Sequence, residues 1–159
     1  MVRYWLMKSE PSEFSFDDLA ARDAQTEPWD GVRNYQARNM LRDQMQCGDQ
    51  VFFYHSNTAV PGIVGICSVV REGYPDPTAF DPDHPHYDPG SQPDAPRWYM
   101  VDVQLVRPLR RLITLAELKQ DQALVDLPLV RRGNRLSVMP VSPEAWQHIL
   151  TLEDRDPDQ

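Results

Sequence analysis

A chain of 159 residues, 41% hydrophobic and 9% aromatic, is sized for one folded domain. It holds no apolar run long enough for a membrane-spanning helix. The formal charge of −8 argues against an indiscriminate binder of nucleic acid, and Cys47 and Cys67, far apart and without a partner motif, exclude a disulfide framework or a zinc ribbon.

The first apolar stretch, Arg3 to Met7, predicts a short strand that ends at Lys8-Ser9-Glu10-Pro11. Lys8 and Glu10 follow it too soon for a signal peptide, so a cytoplasmic, monomeric protein is expected. Ser15 is placed to cap a brief helix through Ala21, with Asp17 and Asp18 in the first turn. Trp29-Asp30-Gly31 is turn chemistry. From Arg33 to Met45, Ala37, Met40, Leu41 and Met45 recur at helical spacing, and Cys47-Gly48-Asp49 ends that helix. Gln50–His55 predicts a strand, Ser56–Gly62 a loop, and the β-branched run Ile63–Arg71 a buried strand.

Residues 72–97 hold seven of the fifteen prolines and little periodicity, and read as a stiff surface loop lying outside the main fold. Trp98 to Arg107 alternates as a strand. Thr114 and Glu117 have capping-box spacing for a helix from Leu115. Arg135–Val141 predicts another strand, and Ser142-Pro143 opens a last helix to Leu152, serine as cap and proline at the first position. Residues 1–152 thus form one domain, and 153–159 an acidic, disordered tail. Strands interrupted by short helices, without βαβ alternation, indicate an α+β fold with a small barrel or curled sheet.

The negative charge is local. Residues 72–97 carry six acids against Arg97, and 153–159 carry four against Arg155, which leaves the remaining body neutral. Such a body favours a specific pocket over strong, sequence-blind duplex binding.

Met7-Lys8-Ser9-Glu10-Pro11, then Trp29-Asp30-Gly31-Val32-Arg33-Asn34-Tyr35-Gln36-Ala37-Arg38-Asn39, resemble the signature of the EVE domain. Gly48-Asp49, Phe53-Tyr54-His55-Ser56-Asn57, Gly62-Ile63-Val64-Gly65, Trp98 and Arg135-Leu136-Ser137-Val138 with Pro140 continue the pattern in order to about residue 150. Within that family the chain is similar to the thymocyte nuclear proteins and their bacterial counterparts. The resemblance implies a PUA-like β-barrel with flanking short helices, related to the YTH and ASCH domains. It also implies a non-enzymatic reader of nucleic acid, modified DNA or RNA, that takes a flipped base into a pocket.

Such a pocket needs aromatic faces for stacking and polar groups for the base edge. Trp98 falls on the strand face opposite Tyr99, Val101, Val103 and Leu105, out of core register, and is the first candidate for stacking; otherwise it packs beneath the acidic loop. Trp29 is a second wall or a staple on the following helix. Trp5 and Trp146 belong to the core. Asn34 suits a base edge, or caps the helix. Ser9, Ser56 and Ser137 stand where strands meet turns and supply hydroxyls. His55 shares a face with Val51 and Phe53, and is either a buried, hydrogen-bonded histidine or a neutral partner of the base. Lys8, Arg33, Arg38 and Arg132 are phosphate candidates, each equally readable as a solvated charge.

No cofactor loop is present. A hydrolase built on Ser9 or Ser56 with His55 lacks a nucleophile elbow, and a deaminase lacks its zinc motif. Metal binding by Asp83, His84, His86 and Asp88 is weakened by the intervening prolines. The main rival is a protein-interaction module using the acidic loop.

Overall fold

The computed structural model describes residues 2–155. In chain order the elements are β1 (Tyr4–Ser9), α1 (Phe16–Ala20), β2 (Thr26–Pro28), α2 (Tyr35–Asn39), β3 (Gln50–His55), β4 (Gly62–Pro75), β5 (Tyr99–Thr114), α3 (Leu115–Gln120), β6 (Val138–Val141) and α4 (Pro143–Leu152). The strands form one mixed sheet in the order β2-β5-β4-β3-β1-β6. β1 and β3 pair in parallel, Trp5 opposite Val51 and Met7 opposite Phe53, and the other pairs are antiparallel. The fold is α+β, of the PUA-like kind expected.

Both faces of β1 and β3 are covered, which explains why their sequences are nearly continuous apolar runs. Trp5, Met7, Val51 and Phe53 pack with Phe16 and Leu19 of α1 and with Ala37 of α2. The alternate residues Leu6, Phe52 and Tyr54 pack with Leu118 of α3 and with Trp146 and Ile149 of α4. Trp146 stacks on Phe52 at 3.7 Å between ring centroids. Three helix starts follow the local chemistry: Ser15 and Thr114 complete capping boxes with Asp18 and Glu117, and Ser142 caps α4 ahead of Pro143.

The structure departs from the expected elements where tertiary contacts decide. The helix expected over 33–45 begins later, because Asn34 is extended and its side chain accepts the Ala37 N–H. It then widens into a π-helical turn, Met40–Gln44, closed by Met45 N–H donating to the Met40 carbonyl at 3.0 Å, with Met40, Leu41 and Met45 all reaching the core. β2 is an edge strand whose three residues give no sequence signal until they pair with β5. β4 and β5 run on to Pro75 and Thr114 because they support each other along a long, bulged ladder.

The segment 72–97 is not separable from the body, contrary to expectation. Its first residues belong to β4, and Asp76 and Ala79 are fully buried. The acidic stretch expected to be disordered from Glu153 is ordered through Arg155. The buried Glu153 carboxylate accepts from both Arg107 terminal nitrogens at 2.9 and 2.8 Å, and from the Arg110 N–H at 3.0 Å. Asp154 pairs with Arg110, and the rest of that tail, 156–159, lies outside the described residues. No helix among the described residues is long and apolar enough to cross a membrane.

Candidate functional site

A cleft of about 680 Å³ opens where the end of β1 meets the segment between β2 and α2. At the end of β1 the chain turns sharply: the Glu13 and Phe14 N–H groups donate to the Glu10 carbonyl, and Ser9 Oγ donates to the Phe14 carbonyl at 2.5 Å. The Lys8 N–H donates to the Ser137 carbonyl at 2.8 Å, which brings Ser137 beside Lys8 and Ser9. These three line one side, with Glu10, Glu13 and Phe14.

The opposite wall is Glu27 to Arg33. The Trp29 N–H donates to the Val101 carbonyl at 2.7 Å, so the edge of the sheet fixes the tryptophan. Its indole meets Phe53 edge-on at 5.4 Å and Phe14 at 6.5 Å. Gly31 is left-handed at φ 80°, and a Cβ there would lie 2.4 Å from the His86 ring, so only glycine admits the imidazole. Arg33 holds His86 in place, donating from Nε and Nη2 to the His86 carbonyl at 3.1 and 2.7 Å. The acidic segment therefore supplies part of the wall.

Both arginines of the cleft are already engaged. Arg22 pairs with Glu27 at 2.8 Å and Arg33 with Asp76 at 3.1 Å. Lys8 has no carboxylate partner among the described residues; its ammonium sits 5.9 Å from the Tyr54 ring centroid, and burial lowers its pKa. His86 Nδ1 is buried and has no hydrogen-bond partner among the described residues. The cleft thus combines an aromatic corner with an unpaired amine, two hydroxyls and several acceptor carboxylates.

Of the residues singled out from sequence, Ser9, Trp29, Ser137, Lys8 and Arg33 line the cleft. Asn34, His55, Ser56, Trp98, Arg38 and Arg132 do not. Asn34 caps α2, and His55 Nε2 accepts the Phe16 N–H at 3.1 Å, with burial lowering its pKa. The Ser56 N–H donates to the Ser9 carbonyl at 3.0 Å, bracing the β1 turn from behind. Trp98 is 6% exposed: Tyr35 stacks on it at 4.8 Å, and its Nε1 donates to Asp88 at 2.6 Å. Its off-register position is real, but the acidic segment and Tyr35 bury that face, as in the satellite-packing alternative. Arg38 donates to the Arg97 carbonyl at 2.7 Å. Arg132 is exposed on the loop ahead of Ser137.

Phe14, Glu10, Glu13 and Asp30 carry no site expectation from the sequence, and His86 carries one only as a metal ligand, not as a wall of the cleft. For Phe14 a signal existed, since an aromatic beside a strand-ending turn has no local core to join. Asp30, His84 and His86 bring potential metal-ligating atoms within 4.8 Å of one another, in place of the Asp83-His84-His86-Asp88 set. His84 Nδ1 accepts the His86 N–H at 3.0 Å, which leaves Nε2 as the uncommitted nitrogen of that ring. Asp88 instead serves Trp98 and the Gly90 N–H.

Human thymocyte nuclear protein 1 is 48% identical over 97% of this chain and 75% of its own length. The crystal structure of human THYN1 protein in complex with 5-methylcytosine containing DNA superimposes with a TM-score of 0.93 at 47% identity, covering 98% of this chain and 99% of that one. A Pseudomonas putida protein of known structure is 51% identical with a TM-score of 0.88, over 94% and 99% of the two chains. The EVE domain profile matches residues 3–152, so the chain, close to half-identical to these relatives almost end to end, belongs to the EVE domain family.

Proposed function

We infer that this chain is a non-enzymatic DNA reader that receives a flipped, 5-methylated cytosine in the cleft between β1 and the Trp29–Arg33 segment. The observation that carries this reading is the composition of that cleft. Trp29 and Phe14 give an apolar corner, while Lys8, Ser9 and Ser137 offer polar atoms at one side. Its volume of about 680 Å³ lies within the range of small-molecule sites, about 300–1,000 Å³. The complex formed by human THYN1 protein supports the choice of ligand.

Cytosine presents an amino donor beside two acceptors on its pairing edge. Glu10, Glu13 or Asp30 suits the donor, and Lys8 with the Ser137 hydroxyl suits the acceptors, the Ser9 proton being held by the Phe14 carbonyl. A buried methyl group contributes about 0.8 kcal/mol, so methylation alone accounts for roughly fourfold discrimination.

Asn34, His55, Ser56 and Trp98 act in this reading as supports of the cleft rather than as its lining. The hydrolase alternative is disfavoured by His55, whose Nε2 is committed to the Phe16 N–H. The acidic-loop interaction module is disfavoured because Asp76 and Asp88 are engaged within the molecule. The test is a duplex with 2-aminopurine next to a single 5-methylcytosine. Its fluorescence rises on binding if the neighbouring base leaves the stack, and stays flat if the duplex is bound intact.

A further inference from the structure

Half of the fourteen arginines of this chain are paired with carboxylates. Arg22, Arg33, Arg42, Arg97, Arg107, Arg110 and Arg111 each sit within 4 Å of a carboxylate. The loop Arg131-Arg132-Gly133-Asn134-Arg135 is different. Its three arginines are exposed, and none of their guanidinium groups has an ion pair, hydrogen bond or ring contact among the described residues. From Leu127 to Pro143 the sequence contains no acid at all, in a chain whose net charge is −8.

The loop is also held in shape. Asn134 Nδ2 donates to the Pro128 carbonyl at 2.6 Å, and its Oδ1 accepts the Leu136 N–H at 3.0 Å. The Asn134 N–H donates to the Arg131 carbonyl at 3.2 Å, and Gly133 takes the left-handed turn at φ 80°. The one polar side chain that could compete for the arginines is turned inward, and the cations face solvent. Arg135 stands two residues from Ser137, at most about 7 Å of chain, so it reaches the rim of the cleft.

We propose that the 131–135 loop is a DNA phosphate clamp, in which Arg131, Arg132 and Arg135 grip the backbone beside the nucleotide held in the cleft. The inference rests on the reader function for its partner. It moves the electrostatic grip away from Arg33 and Arg38, whose donors are spent inside the protein. Three freely exposed guanidiniums on a shaped turn, next to a base-sized opening, match two or three consecutive phosphates.

The test measures affinity for a duplex with one 5-methylcytosine, and for its unmodified twin, from 50 to 300 mM salt. Each lost phosphate contact makes the slope of log K against log salt shallower by about 0.9. The Arg131→Gln, Arg132→Gln, Arg135→Gln triple variant should flatten the slope by up to about 2.7, and Arg132→Gln alone by about 0.9. Arg110→Gln, which removes the partner of Asp154 far along the chain, should keep the wild-type slope. A triple variant with the wild-type slope overturns the clamp, even if the preference for methylated DNA persists. A flattened slope with no methyl preference in any variant upholds the clamp and refutes the cleft reading instead.

Discussion

Arg33 and Asp76 meet at 3.1 Å, and the same Asp76 oxygen accepts the Gly31 N–H at 2.9 Å, so one buried carboxylate joins the acidic segment to the cleft wall. Burial alone would raise the Asp76 pKa. Hydrogen bonds from Thr78, Gly31 and Arg33 outweigh it and hold the carboxyl below its usual range. Asp76→Ala leaves Arg33 and Gly31 without their acceptor and should cost about 3 kcal/mol in denaturant unfolding. Asp76→Asn should cost less, since it keeps an acceptor. Trimming 76–94 to a short linker removes the same anchor and should lower the melting temperature sharply; an unchanged value would restore the segment to a detachable loop.

Trp98 should behave as a structural tryptophan. It is buried beneath Tyr35 and hydrogen-bonded to Asp88, so Trp98→Ala should destabilise by about 3–5 kcal/mol. Trp98→Phe keeps the stack on Tyr35 but removes the hydrogen bond to Asp88, which retains Gly90 and Arg97, at about 1 kcal/mol. For the folded fraction of Trp98→Phe, DNA affinity should stay within about twofold of wild type. A tenfold loss there would return Trp98 to the site.

His55 imposes a pH dependence on stability. Burial lowers its pKa from the ordinary value near 6.5, with the Asp17 charge opposing weakly, and the neutral Nε2 accepts the Phe16 N–H. The unfolded chain binds the proton more readily, so this contribution is complete above about pH 6.5 and is lost as pH falls through the lowered native value. His55→Gln can accept the same N–H without titrating. Melting temperatures between pH 7.5 and 5 should fall more steeply for wild type than for His55→Gln; parallel curves would show that His55 is not the group responsible.

What the sequence revealed and what it hid follow from the range of the forces involved. The caps at Ser15, Thr114 and Ser142 are local hydrogen bonds, and the sequence displays them. β2 and the far ends of β4 and β5 exist only because of partners across the sheet. In the cleft, Ser9, Trp29 and Ser137 were legible from strand-to-turn positions together with the family resemblance. Trp98 lies outside the cleft, because period-two parity tells which side of β5 it faces but not that Tyr35 and the acidic segment cover that side. His86 was invisible as a wall residue because its position depends on Gly31, about fifty residues away, having no Cβ.

The most direct test of the reader account is the affinity ratio between 5-methylcytosine and cytosine duplexes at one salt concentration, for wild type and Ser137→Phe. Ser137 lines the cleft and is only partly buried, so a phenylalanine there obstructs the opening with little effect on the core. The account predicts a ratio of roughly fourfold or more for wild type, collapsing to near one in a variant that melts within a few degrees of it. A folded Ser137→Phe protein that keeps the wild-type ratio would contradict it, and the modified base would then have to be read outside the cleft.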